Sequence, residues 1–252
     1  MAMDTRERAE TRSPAEDDPP SLDSPLALPA EEVGRFDIAA LNLACAVGLP
    51  GAEGLDIRRH IATLDAWAAE VDRVTTRGVR HFRNNRAEFE DSEAYWRMLT
   101  LTSVLQLRYR VHYRPDRIDE MDWRDSRDVL LHGLLGESRA GTCPSLPVLT
   151  VAVGRRLGYP LRLALAIAHV FSRWDGPTGG ERLNIECHGN GMVAHPDEHY
   201  YEWPVRWNPE THAEEARRGP NCIYLRSLEP AEELAFFPVP AGPLPGSGQT
   251  VG

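Results

Sequence analysis

The chain has 252 residues, 42% of them apolar and 26% charged, enough to bury a core and too apolar for a disordered or fibrous protein. Formal charge is −10, from 38 acids against 28 bases, which argues against a nucleic-acid backbone or an anionic membrane as the main partner. No window nears the roughly 18 uninterrupted apolar residues of a membrane span, since even Leu161 to Phe171 is broken by Arg162 and His169.

All the bases are Arg and none is Lys. The first thirty residues hold Asp, Glu, Arg and Pro where a secretion signal needs a continuous apolar segment, so a cytoplasmic protein is expected. Residues 1–35 are acidic and Pro-rich and residues 238–252 are Pro/Gly-rich; both are expected to be disordered tails around one domain over 36–237.

Within that domain, residues 36–115 read as a helical portion and 116–237 as a catalytic helix and sheet portion. Phe36 to Val47 is a short helix stopped by the loop GLPGAEG. Asp56 to Val74 is the clearest amphipathic helix, with Ile57, Ile61, Leu64, Ala68, Val71 and Val74 recurring every three or four positions behind an Asp suited to N-capping. Ser92 to Arg110 is a long helix, apolar on more than one face and therefore buried.

Pro144 to Leu157 reads as a helix with prolines in its first turn, where a missing N–H costs little, and Gly158 at its stop. Leu161 to Phe171 and Arg182 to Cys187 read as two strands joined as a hairpin through WDGPTGG. The fold class expected is α+β.

Cys143 falls at a helix N-terminus, where the helix dipole favours the reactive thiolate and free N–H groups can bind an oxyanion. His169 shares a strand face with Phe171 and Arg173. Asn184 and Glu186, two apart on the next strand, also share a face, and either could hold an imidazole through its ring N–H. Nucleophile, base and orienting polar group in this order match thiol acyl-transfer chemistry. Taken singly, each has a blander reading: a buried small hydrophobe for Cys143 and a satisfied strand histidine for His169.

The segments GTCPSLPVLTVAVGRRLGYPLRL, AHVFSRWDG, RLNIECHGNG and DEHYYEWP resemble the transglutaminase-like superfamily of papain-like fold, in particular its bacterial branch related to tetratricopeptide-repeat proteins. The resemblance covers roughly Phe36 to Pro204. It implies a nucleophile helix packed on an antiparallel sheet, with Cys143 as nucleophile, His169 as general base and Glu186 in the place usually held by Asp. Pro144 stands where Trp usually follows the nucleophile, and the repeats of longer relatives are absent. The implied reaction is attack of Cys143 on a carboxamide or peptide carbonyl, with a thioester intermediate resolved by water or an amine. No cofactor and no metal are implied, and the expected partner is a protein or peptide substrate. With no Lys and only Gln106 and Gln249 as glutamines, the chain has almost no means of cross-linking to itself. No pattern fixes an oligomeric state.

HPDEHYYEWP is placed at the entrance to the site by its position, with His199, Tyr200 and Trp174 as candidate substrate-binding residues. The plainer alternative is a loop anchored in the core by Tyr200, Tyr201 and Trp203. Two rival functions stand beside the enzyme. Cys187, His188, His195 and His199 lie close in sequence, and the i, i+4 spacing of the last two would suit zinc if they were helical. A papain-like domain that kept its shape and lost its reaction would act as a protein-binding scaffold. Cys45 and Cys222 read as structural, Cys187 points away from the candidate acid, and Arg155, Arg156 and Arg173 read as solvated rather than as clamps for an acidic group.

Overall fold

The protein is described from a computed structural model over residues 29–117, 121–122, 124–166, 169–187, 191–201, 205–208, 213–216 and 225–237. Helix and sheet are mixed in an α+β arrangement, with helices dominating the N-terminal half. No helix among these residues is long and apolar enough to cross a membrane.

A single helical turn, α1 (Ala30–Val33), falls inside the segment expected as a tail, and it is followed by α2 (Ile38–Ala44). Asp37 caps α2 by accepting a hydrogen bond from Ala39 N at 2.7 Å. In α3 (Ile57–Asn84), Asp56 plays the same part towards Arg59 N at 3.0 Å, as the sequence predicts. This helix runs ten residues past the expected end at Val74. Its extension carries little of the apolar stripe and is held by Phe82, whose ring stacks on Trp96 of α4 (Glu93–Ser103) at 4.7 Å. After Ser103 the helix loosens into a π turn over Val104–Arg108, with Tyr109 N donating to Val104 O at 3.3 Å.

Two residues of parallel pairing join β1 (His112–Tyr113) to β2 (Ala140–Gly141), and between them lie the short helices α5 (Ser126–Val129) and α6 (Leu131–Leu134). Helix α7 (Ser145–Arg156) follows β2 and is the centre of the molecule, every residue from Ser145 to Gly154 being buried. A helix apolar on all sides has no solvent face. Accordingly α2, α3, α6 and the sheet all pack against it.

The sheet is an antiparallel meander in the order β3 (Leu161–Ala166), β4 (His169–Asp175), β5 (Arg182–Glu186), β6 (Val193–His195). The single strand expected over Leu161 to Phe171 is therefore two, reversing between the paired residues Ala166 and His169. Leu161, Leu163 and Val170 face the main core, while Ala164, Ala166 and Phe171 pack with Tyr200 on the other side. That second face is covered by α8 (Asp197–Tyr201). A further hairpin pairs β7 (Val205–Asn208) with β8 (Ala213–Ala216), and α9 (Pro230–Phe236) closes the described chain.

Candidate active site

Cys143 rides the turn that starts α7. Ser145 Oγ accepts from Thr142 N at 2.9 Å, and Leu146 N donates to Thr142 O at 3.1 Å, so the residue before the thiol is fastened at both backbone ends to the helix. Upstream, Arg114 N donates to Gly141 O at 2.8 Å and ties β2 to the segment after β1. The half-buried thiol is thus carried by backbone fixed on both sides.

Cys143 Sγ lies 3.1 Å from His169 Nδ1, and His169 Nε2 lies 2.6 Å from Glu186 Oε1. Since the carboxylate can only accept, Nε2 donates to it, and Nδ1 is left facing the thiol to hold the proton the two share. Burial alone would push the imidazole pKa down. The hydrogen bonds to Cys143 and Glu186, with the charges behind them, outweigh it and raise the value to about 10. Glu186 ends β5 and is itself buried, and its Oε1 accepts a second hydrogen bond, from the Tyr200 hydroxyl at 2.9 Å. Tyr200 stacks on Phe171 with ring centroids 4.2 Å apart. Burial first, and the neighbouring Glu186 charge second, push its phenol well above the ordinary range.

Asn184 shares the face of Glu186, as the alternation of the strand predicts, yet it does not reach His169. Its Oδ1 accepts from Arg173 Nε at 2.6 Å, and its Nδ2 donates to Asp197 Oδ1 at 2.7 Å and to His195 O at 3.1 Å. Arg173 is 0% exposed, completed by Leu225 O at 2.6 Å and Asp197 Oδ1 at 2.9 Å. A buried guanidinium needs its donors matched. Asn184 and Asp197 are spent on that task, and Arg173 is not solvated as the sequence suggested.

The three residues expected to touch substrate are set apart. Trp174 lies on the opposite face of β4 from His169, packed against Tyr159 at 5.2 Å. Tyr200 is 4% exposed and stands behind the carboxylate. His199 is exposed, its ring stacked on His195 at 3.8 Å.

The arginines of α7 are also internal clamps. Arg155 grips the buried Glu233 of α9 through two nitrogens at 2.8 and 2.6 Å, and Arg156 binds Asp37 and Asp65. Cys187 faces away from the triad, 3.6 Å from Thr102 Oγ1 and 3.5 Å from Thr150 Oγ1, and burial pushes its thiol up. Burial likewise pushes the Cys45 thiol up to about 11. Among the described residues no three His, Cys, Asp or Glu gather as a metal ligand set. His188, Trp203 and Cys222 lie outside the described residues.

The chain matches no family model, no curated protein and no solved structure.

Proposed function

We propose that this protein is a cysteine-dependent acyl-transfer or hydrolytic enzyme of transglutaminase-like, papain-like type, acting on a carboxamide or peptide carbonyl. The observation that carries the reading is the continuous line from Cys143 Sγ through both nitrogens of His169 to Glu186 Oε1, at 3.1 and 2.6 Å. A thiol within reach of an imidazole that a carboxylate orients is the arrangement of an activated nucleophile.

With the proton it shares with the thiol held at His169 Nδ1, Cys143 Sγ attacks the carbonyl carbon, and the carbonyl oxygen becomes an oxyanion. The positive end of the helix dipole at the start of α7, next to Cys143, favours that charge. Collapse breaks the C–N bond. His169 returns its proton to the leaving amine or ammonia, and a thioester remains on Cys143. Water then gives the acid, or a second amine gives a new amide, with His169 taking the incoming proton and Cys143 regaining it.

The test is the alkylation rate of each cysteine by iodoacetamide, followed by mass spectrometry, in wild type and His169→Ala. Cys143 is expected to outpace the buried Cys45 and Cys187, and to slow by about 100-fold without the imidazole, the low end of what a positioned base contributes. Equal rates at Cys143 and Cys45, or no effect of His169→Ala, would overturn the reading.

A further inference from the structure

Helix α3 outruns the packing that holds its first half. After Thr75 its only buried residue is Phe82. From Arg73 to Ala87 the sequence carries Arg73, Arg77, Arg80, Arg83 and Arg86 and no Asp or Glu, in a chain whose net charge is −10. With 3.6 residues per turn, Arg73, Arg77 and Arg80 line up opposite the buried Val71, Thr75 and Phe82, and Arg83 flanks them. The fold neutralises only the two ends of this row. Arg73 is bound to Glu70, which also takes Arg108 at 2.6 Å, and Arg86 reaches Asp91 at 3.8 Å. Arg77, Arg80 and Arg83 are exposed and form no ion pair among the described residues.

Two features of this stretch work against the helix it forms. Solvated helix faces are ordinarily laced with acids three or four residues from their bases. Here Arg73 and Arg77, Arg77 and Arg80, and Arg80 and Arg83 set like charges at those spacings, which destabilises a helix. Thr75, Thr76, Gly78 and Val79 are weak helix formers as well. The helix nevertheless continues to Asn84, pinned by Phe82 on Trp96 and by the Arg86 guanidinium 5.0 Å above the Phe82 ring. Local choices that oppose the fold belong to surfaces kept for another purpose.

We infer that the face of Arg77, Arg80 and Arg83 is a docking surface for an acidic, extended segment of a partner protein. Each guanidinium offers paired donors that match a carboxylate. Helix residues three apart have Cβ atoms about 5–6 Å apart, close to the roughly 6.6 Å at which alternate side chains of an extended chain recur, so successive acids on one side of such a segment meet successive arginines. A long phosphate strand fits less well. It would run past the row onto a molecule of net negative charge, whereas a short acidic segment needs only the arginines. The surface does not depend on the thiol chemistry.

Fluorescence polarisation of a labelled octaglutamate peptide, titrated with the full chain at low salt, tests this. Saturable binding is expected, weakening as salt is added, with none for octaglutamine. The double substitution Arg77→Glu/Arg80→Glu is expected to weaken it by about tenfold or more. These changes place opposite charges beside Arg73 and Arg83 and so do not weaken the helix; an unchanged or higher thermal midpoint separates lost docking from lost folding. Arg59→Glu/Arg124→Glu alters the net charge equally at exposed positions off the row and should leave the affinity within about twofold. Absence of saturable binding, or equal loss in the two double variants, overturns the surface. Tighter binding of dodecathymidylate than of octaglutamate overturns the assignment to a protein partner.

Discussion

Tyr200 and His169 converge on one oxygen of Glu186, the phenol hydroxyl at 2.9 Å and the imidazole nitrogen at 2.6 Å. The carboxylate is therefore held from behind as well as from the front, and its aim at His169 does not depend on the imidazole alone. Tyr200 acts through Glu186 and is a positioning residue.

Tyr200→Phe deletes one donor and keeps the ring that stacks on Phe171. With that donor gone, Glu186 accepts more strongly from His169, so the imidazole titration midpoint, followed by NMR, is expected to rise further. Stability should fall by about 1 kcal/mol, the net worth of one buried hydrogen bond. A purely structural tyrosine would move the stability and leave the midpoint where it was.

Glu186→Gln and Asn184→Ala separate the two strand neighbours. Loss of the Glu186 charge is expected to lower the His169 midpoint and slow Cys143 alkylation. Asn184→Ala removes a partner of the buried Arg173, and should cost about 1–3 kcal/mol in urea unfolding while the alkylation rate stays close to wild type. The reverse pattern would reassign the orienting residue.

The raised pKa of His169 links the site to stability. Its value moves from about 6.5 in the unfolded chain to about 10 in the folded one. The protonated imidazole thus adds stability that is fully present below about pH 6.5 and is lost as pH rises through about 10. The difference in urea midpoint between wild type and His169→Gln should shrink steadily between these limits. A constant difference would show that the charge contributes nothing.

Gly141→Ala tests the close packing just ahead of the thiol. An added Cβ would stand 2.5 Å from Leu134 Cδ1 and 2.7 Å from Leu146 Cγ, both buried. Overpacking of this kind costs about 1–3 kcal/mol. Because β2 leads directly into Cys143, its alkylation should slow in step, measured beside the unfolding midpoint.

Much of the site was legible from short-range regularities. Strand alternation puts Asn184 and Glu186 on one face and turns Cys187 to the other, and prolines with Gly158 bound the helix behind Cys143. Longer-range choices were not. Asn184 and Glu186 are equally able to hold an imidazole, and the decision came from Arg173, whose buried charge captures Asn184. The reversal at Ala166 and His169 escaped because LALAIAHVF carries no Gly, Pro or Asn to mark a turn. Helix α9 was missed although Pro230 at its start and the Glu229 N to Glu232 Oε2 bond at 2.9 Å fit a capped N-terminus. In the sequence Tyr200 reads as a substrate-side residue, because nothing local distinguishes an aromatic that faces a cleft from one that backs a carboxylate.

Helix α7 has no solvent face over its first ten residues, Ser145 to Gly154. A post enclosed in this way cannot fray on its own, because releasing it opens the packing of α2, α3, α6 and the sheet together. The thiol at its tip is therefore an internal gauge of the whole fold. Its excess reactivity over a free thiol should vanish in one step with global unfolding, and a partly denatured molecule with an activated nucleophile should not accumulate.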